Sequence, residues 1–322
     1  MTPDATLSSV ANMRGARPFL SIVITLAAAA VFAGACGKLK PSETDAGAAG
    51  TTGAAGTSGG AGTGGSALVH VTVSGTAAPH PLNHALDADE DFTMLKVSIV
   101  DPAATILDPN APALGSMTLD TSASNCTADL GCAWTLPGID ITKQNLGLVG
   151  SVEDTRTGTA RLWVKTGTGM GSKADLDAVR ANPAPIKDRR AFAVSRKLEA
   201  KLSQLVGKAL NETFGAGDLE TRGFLIGHVV GKLSEGPMPA GVAGATGAAT
   251  GMFKVLYPNA EFTDTGTTTS SSGIFIMVPN KAEPVVATWD VVPPAGDTRT
   301  WNMYLAGSNP GTAFVIILPA NE

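Results

Sequence analysis

The chain has 322 residues, a formal net charge of −5 and 16% charged residues, a mildly acidic balance that excludes the basic surface a nucleic-acid partner requires. Aromatic residues make up 5%, while glycine (38) and proline (20) are frequent, a composition that favours short strands and many turns over long helices.

Arg14 and Arg17 precede an uncharged run from Phe19 to Ala35 that closes in small residues, the layout of an export signal. Left uncut, the run is marginally long enough to span a membrane. Its end, Ala33-Gly34-Ala35-Cys36-Gly37, resembles the lipobox of bacterial lipoproteins, with Ala33 where that family usually carries leucine. The resemblance implies a signal peptide over 1–35 and a lipidated (palmitate-type) Cys36 as the first mature residue. Plain secretion and an uncleaved anchor are the alternatives. Two or three acyl chains, at about 0.8 kcal/mol per buried methylene, hold a protein stably at a membrane where one chain does not. Residues 36–66 follow as a linker: from Ala46 to Ser66 the chain is almost purely Gly, Ala, Thr and Ser, with nothing to bury, and predicts a disordered tether reaching roughly 25 Å.

Residues 67–322 suffice by length for two ordinary domains. In the first stretch, 67–166, Val69, Val71 and Val73 alternate with polar residues, and Phe92 to Val100 is a β-rich run closed by Asp101-Pro102; both predict strands. Shorter strands are expected at Gly115 to Leu119 and Ala133 to Leu136. Leu146 to Glu153 and Ala160 to Lys165 flank a tight connection in which Gly158 supplies the positive φ. Three cysteines are an odd number, so assigning Cys36 to lipid leaves Cys126 and Cys132 as a pair. A disulfide between them implies an oxidising compartment and contributes roughly 2 kcal/mol by closing a short loop; two reduced thiols are the alternative.

Residues 167–214 predict a helical connector. Ser172 and Asp175 cap a short helix that Asn182-Pro183 stops. In the longer helix that follows, Ala191, Val194, Leu198, Leu202, Leu205 and Ala209 form one apolar stripe. Arg190, Arg196, Lys197, Lys201 and Lys208, with Glu199, make an opposite face suited to solvent or to anionic lipid headgroups. Gly167-Thr-Gly169-Met-Gly171 reads as a hinge; it lacks the third glycine and the acidic partner of a nucleotide-binding loop.

Over 215–322 the strand pattern returns at Phe224 to Val230, Met252 to Tyr257, Ile274 to Val278, Val285 to Val292, Thr300 to Leu305 and Ala313 to Leu318. The last is apolar on every side, as a doubly buried strand is, and Ser308-Asn309-Pro310-Gly311 before it is a turn. Ile226-Gly227-His228-Val229, Gly236-Pro237-Met238-Pro239-Ala240-Gly241-Val242 and Gly273-Ile274-Phe275-Ile276-Met277-Val278-Pro279 resemble the carboxypeptidase regulatory-like, transthyretin-type β-sandwich family. The stretch from Val242 to Gly251 departs from that pattern. Members of the family are mostly non-catalytic accessory or adhesive modules, so the resemblance transfers no catalytic residues. Met94 to Val97 and Ala133 to Pro137 weakly echo Met252 to Val255 and Ile274 to Pro279, as duplication or chance would produce. The predicted fold class is mainly β: two Ig/transthyretin-like sandwich modules joined by a short helical segment.

Chemistry-bearing residues are few. His80 and His84, with Asp87, Asp89, Glu90 and Asp91 close behind, put two imidazoles and four carboxylates in one loop, the donor types a divalent ion needs. Pro81 and the absence of a glutamate after His80 exclude the helical His-Glu-x-x-His geometry, and a solvated acidic loop is the plainer reading. Only His70, His80, His84 and His228 are available as a general base, and no Gly-x-Ser-x-Gly elbow occurs. Trp134, Trp163, Trp289 and Trp301 fall in predicted strands, as core or, if exposed in pairs, as a sugar-stacking platform. Together these features predict a lipid-anchored protein of a bacterial envelope, at the outer membrane or cell surface. Its role would be non-catalytic binding or adhesion to a glycan or a protein, with no cofactor and no nucleic acid. A metal-dependent hydrolase built on His80, His84, Asp87 and Asp89, and a purely structural envelope protein, are the alternatives.

Overall fold

A computed structural model of the chain describes residues 68–108, 110–127, 131–231, 241–243 and 251–321. The export signal, Cys36, the linker, the turn from Pro237 to Ala240 and most of the Val242 to Gly251 stretch lie outside them. The described residues are mainly β, as the composition predicts.

The first half opens with β1 (His70–Pro79), α1 (Pro81–Ala85), β2 (Leu95–Val100) and α2 (Pro102–Leu107), then β3 (Gly115–Thr118), β4 (Cys126–Thr127), β5 (Gly131–Asp140), β6 (Leu148–Asp154) and β7 (Trp163–Gly171). Two of these corners are helices where the sequence suggested a strand end, at Asp101-Pro102, and a loop, after His80. Asp101 and His80 each precede a proline, and each side chain caps a short helix whose first turn the proline suits. Gly158, at φ 59°, turns the chain between β6 and β7, which pair antiparallel as expected. The glycines read as a hinge, Gly167 to Gly171, are instead the second half of β7.

The connector holds the largest departure. After α3 (Lys173–Ala181), which Ser172 and Asp175 cap reciprocally, the chain forms a ten-residue strand, β8 (Ile186–Ser195), before α4 (Arg196–Leu210). Ala191 and Val194 therefore belong to a strand, and only the Leu198, Leu202 and Leu205 part of the predicted stripe is helical. Ser195 marks the switch: its hydroxyl caps α4 by accepting from the Leu198 N–H at 3.0 Å. β8 runs beside β1, parallel to it, and its Phe192 and Val194 amides donate to the hydroxyls of Thr168 and Thr166 on β7.

Beyond α5 (Asp218–Arg222) come β9 (Phe224–Val230), β10 (Gly241–Ala243), β11 (Phe253–Pro258), β12 (Thr265–Gly266), β13 (Ile274–Pro279), β14 (Val285–Val292), β15 (Tyr304–Ser308) and β16 (Thr312–Pro319). The hydrogen-bonded path runs β12-β11-β13-β9-β16-β7-β8-β1-β5-β4, with β6, β2 and β3 branching from β7. The all-apolar β16 lies between β7 and β9, parallel to both, so the ladder is continuous across the boundaries drawn between a first module, a connector and a second module. A separate sheet, β10-β14-β15, stands opposite.

Three cores result. Inward residues of β1, β2, β5, β6, β7 and β8, among them Val73, Val97, Ile139 and Trp163, enclose the first, which Leu176 of α3 joins. In the second, Leu198, Leu202 and Leu205 of α4 cover Val194, Phe224, Ile276 and Val315. The third lies between two faces of sheet, where Leu225, Phe275, Met277 and Leu318 meet Trp289, Val291 and Ala306 in a face-to-face sandwich. Strand periodicity explains the division: Phe224 and Ile226 face the helix while Leu225 and Val229 face the opposing sheet.

Candidate functional site

The loop that offers the candidate metal ligands His80, His84, Asp87 and Asp89 holds its two histidines apart. His80 is fully buried, and its Nδ1 accepts from the Leu82 N–H at 3.2 Å. Nδ1 is then unprotonated, so Nε2 carries the hydrogen and donates it to Nε2 of His228, 2.7 Å away. Phe192 closes the other side of the ring, edge-on at 5.5 Å. Burial, and secondarily the neighbouring His228, hold the His80 pKa well below its ordinary value; burial takes His228 down to about 4. Both rings are neutral at pH 7. His84 points outward and pairs with Asp89 at 2.9 Å, while Asp87 is also exposed and takes positive φ. Among the described residues no three His, Cys, Asp or Glu side chains converge as a metal set.

Cys126 and Cys132 form the predicted disulfide, directly opposite each other on β4 and β5. Cys132 is buried in the first core. All four tryptophans are buried, and three of their indole nitrogens donate to backbone carbonyls: Trp163 to Asp91, Trp289 to Ala306, and Trp301 to Val230 and Leu318. They are core, and none forms a sugar-stacking platform. The cationic face of α4 is tied down within the protein, Lys197 to Glu90 and Lys208 to Asp264 at 3.2 Å each, and Lys201 to the Leu86 and Asp87 carbonyls.

At the β6–β7 connection the buried Asp154 carboxylate accepts from the Arg156 Nε at 2.8 Å and from the Leu162 and Trp163 amides. Burial raises its pKa, but these hydrogen bonds outweigh burial and hold it below the usual carboxylate range. Glu199, buried on α4, accepts from Ser203 and from the Gly217 and Leu219 amides, so it caps the start of α5; burial is the largest influence on its carboxyl and raises its pKa.

The feature best shaped for a ligand is a groove of about 830 Å³ between β15 on one wall and β7 with the start of α3 on the other. Such a volume is within the range of pre-formed binding clefts. Met303 and Leu305 on the β15 side and Leu146 opposite stand exposed at its rim (72%, 56% and 44% accessible). Gly167, Gly169 and Gly171 line the β7 side; a Cβ placed on Gly169 meets nothing within 4 Å, so the wall is open there, whereas the Phe314 ring covers Gly167. Lys165, Lys173 and Arg189 line it against a single carboxylate, Asp175. Asp175 is engaged in capping α3, accepting from the Ser172 amide at 2.8 Å, and Lys173 is paired with Asp177. Burial, with the negative charge of Asp175, raises the pKa of the Tyr304 phenol, which stays a protonated donor.

No protein family matches the chain. Nor does any curated protein match it by sequence. Three solved structures show a limited likeness: the Bacillus anthracis TIE protein (11% identity, 79% of this chain, 35% of that one, TM-score 0.20), a variant of shaft pilin SpaA from Lactobacillus rhamnosus GG (9%, 80%, 99%, TM-score 0.23) and the major pilin protein of Streptococcus pyogenes (8%, 79%, 97%, TM-score 0.19). The chain thus spans 35% of the length of the first. At this degree of similarity they assign neither fold nor function.

Sequence reasoning singled out His80 but missed its partner, because 148 positions separate His80 from His228 and only the β9–β16–β7–β8 arrangement brings them together. The groove was equally hidden. Its one sequence signal is the uncharged stretch from Trp301 to Ser308, which carries apolar residues on both faces of a strand.

Proposed function

We propose that the protein is a non-catalytic binding or adhesion module of a bacterial envelope, tethered through lipid on Cys36, and that its glycan or protein partner seats in the groove between β7 and β15. The observation that carries this reading is the groove itself, with large apolar side chains left in solvent at its rim and a wall left open at Gly169. A purely structural spacer has no use for such a feature. The leader ending at Cys36, the composition from Ala46 to Ser66 and the Cys126–Cys132 disulfide all suit an exported, tethered chain. The sequence resemblance of Ile226 to Val229 and Gly273 to Pro279 to transthyretin-type modules suits the same role, since members of that family are mostly non-catalytic accessory or adhesive modules.

A Cβ on Gly169 meets nothing within 4 Å, so Gly169→Val projects a side chain into the groove at a position where valine suits the strand. Full-length protein in detergent is expected to be retained on immobilised peptidoglycan or on envelope proteins, and Gly169→Val to weaken that retention by roughly tenfold or more at unchanged melting temperature. Equal retention of the variant removes the groove from the proposal; no retention of the wild type removes the binding role. Cys36→Ser is expected to lose both the acyl mass at the N-terminus and membrane retention, and unchanged values count against the lipid tether.

A further inference from the structure

We propose that the groove takes an extended, acidic stretch of polypeptide, added as a new strand along the outer edge of β15. This rests on the binding-module reading and names the partner's chemistry. In its sheet β15 pairs with β14 alone, so one edge of its backbone has no strand beside it among the described residues. The groove follows that edge, for residues along the whole of β15 line it while β14 contributes only Val285 and Val286.

Edge strands attract foreign strands, and proteins usually blunt them by shortness, charge or proline. Among the described residues the other strands that end a sheet are shorter: β4 and β12 have two residues each, β10 three and β3 four. β15 has five, about 17 Å of ladder, and from Trp301 to Ser308 there is neither a charge nor a proline. Among the described residues it is the longest of these sheet-terminal strands, and neither charge nor proline blunts it.

Two buried polar atoms of groove residues, Arg189 Nε and Ser308 Oγ, make no hydrogen bond within the described structure. Orphaned donors of this kind are rare in native proteins and point to a missing partner. Ser308 ends β15, and Arg189 of β8 lines the same groove. Lys165, Lys173 and Arg189 outnumber the single Asp175 carboxylate along the lining, so the net charge facing such a strand is cationic, and a guanidinium favours a carboxylate. At Gly169 the β7 wall leaves room for a side chain that alternates away from β15. Strand addition of this type takes its affinity from main-chain hydrogen bonds and its selectivity from alternate side chains.

The test uses full-length protein in detergent and three probes: a peptide of alternating valine and glutamate, the same peptide with lysine for glutamate, and a chitin-type oligosaccharide. The glutamate peptide is expected to bind and to slow hydrogen exchange at residues 304–308. Gly169→Val, Arg189→Gln and the lysine peptide are each expected to weaken binding by roughly tenfold. Equal affinity for the lysine peptide, affinity unchanged in either variant, or no added protection of β15 overturns the proposal. Oligosaccharide binding abolished by Gly169→Val, with no peptide affinity, also overturns it while leaving the binding-module reading in place.

Discussion

The buried His80, against Phe192 of the second core, meets the half-buried His228 with one hydrogen between their Nε2 atoms, and burial opposes a second proton on either ring. Their folded pKa values lie below 6.5, the ordinary histidine value, with His228 at about 4. Above pH 6.5 both folded and unfolded rings are neutral and contribute no pH dependence. As pH falls from 6.5 toward about 4, the unfolded chain binds protons that the folded chain refuses, so stability drops. Denaturant titrations across that window are expected to show the drop in the wild type and a shallower one in His80→Gln/His228→Leu. At pH 7, His228→Leu alone is expected to cost about 1–3 kcal/mol, because it strands the His80 Nε2–H without an acceptor. A variant as stable as the wild type would show that the pair contributes nothing to the fold.

Strands were legible wherever a period of two stood between turn residues, and β2, β6, β9, β13 and β14 follow the expected ranges closely. β8 was not, because Ala191, Phe192, Ala193 and Val194 continue directly into α4 and their spacing with Leu198 and Leu202 imitates a helix. What distinguishes strand from helix there is tertiary: the Thr166 and Thr168 hydroxyls that receive β8's amides come from a remote part of the sequence. The groove was illegible for a related reason, since β7, α3 and β15 meet only after β16 has docked between β7 and β9. The disulfide, by contrast, needed only counting. Joining β4 to β5 across six positions, it is expected to contribute about 2 kcal/mol. Cys126→Ser and reduction of the wild type should lower the unfolding free energy by the same amount, and a much larger loss on reduction would mean that the bond holds more than this local pair.

At the scale of the whole body, β16 is the strand on which both halves depend, with Leu318 in the third core and Val315 in the second. Leu318→Ala is expected to cost about 2–5 kcal/mol and to lower a single calorimetric transition as a unit. Two separated transitions would mean that the halves fold independently despite their shared ladder. A mechanical corollary comes from where the chain enters this body. β1 begins at His70 and is flanked by β5 on one edge and β8 on the other. A pull along β1 from its N-terminal end therefore loads two rows of backbone bonds simultaneously in shear, and extraction must rupture them collectively instead of peeling them one after another. The first strand is thus placed to bear tension delivered through whatever precedes it.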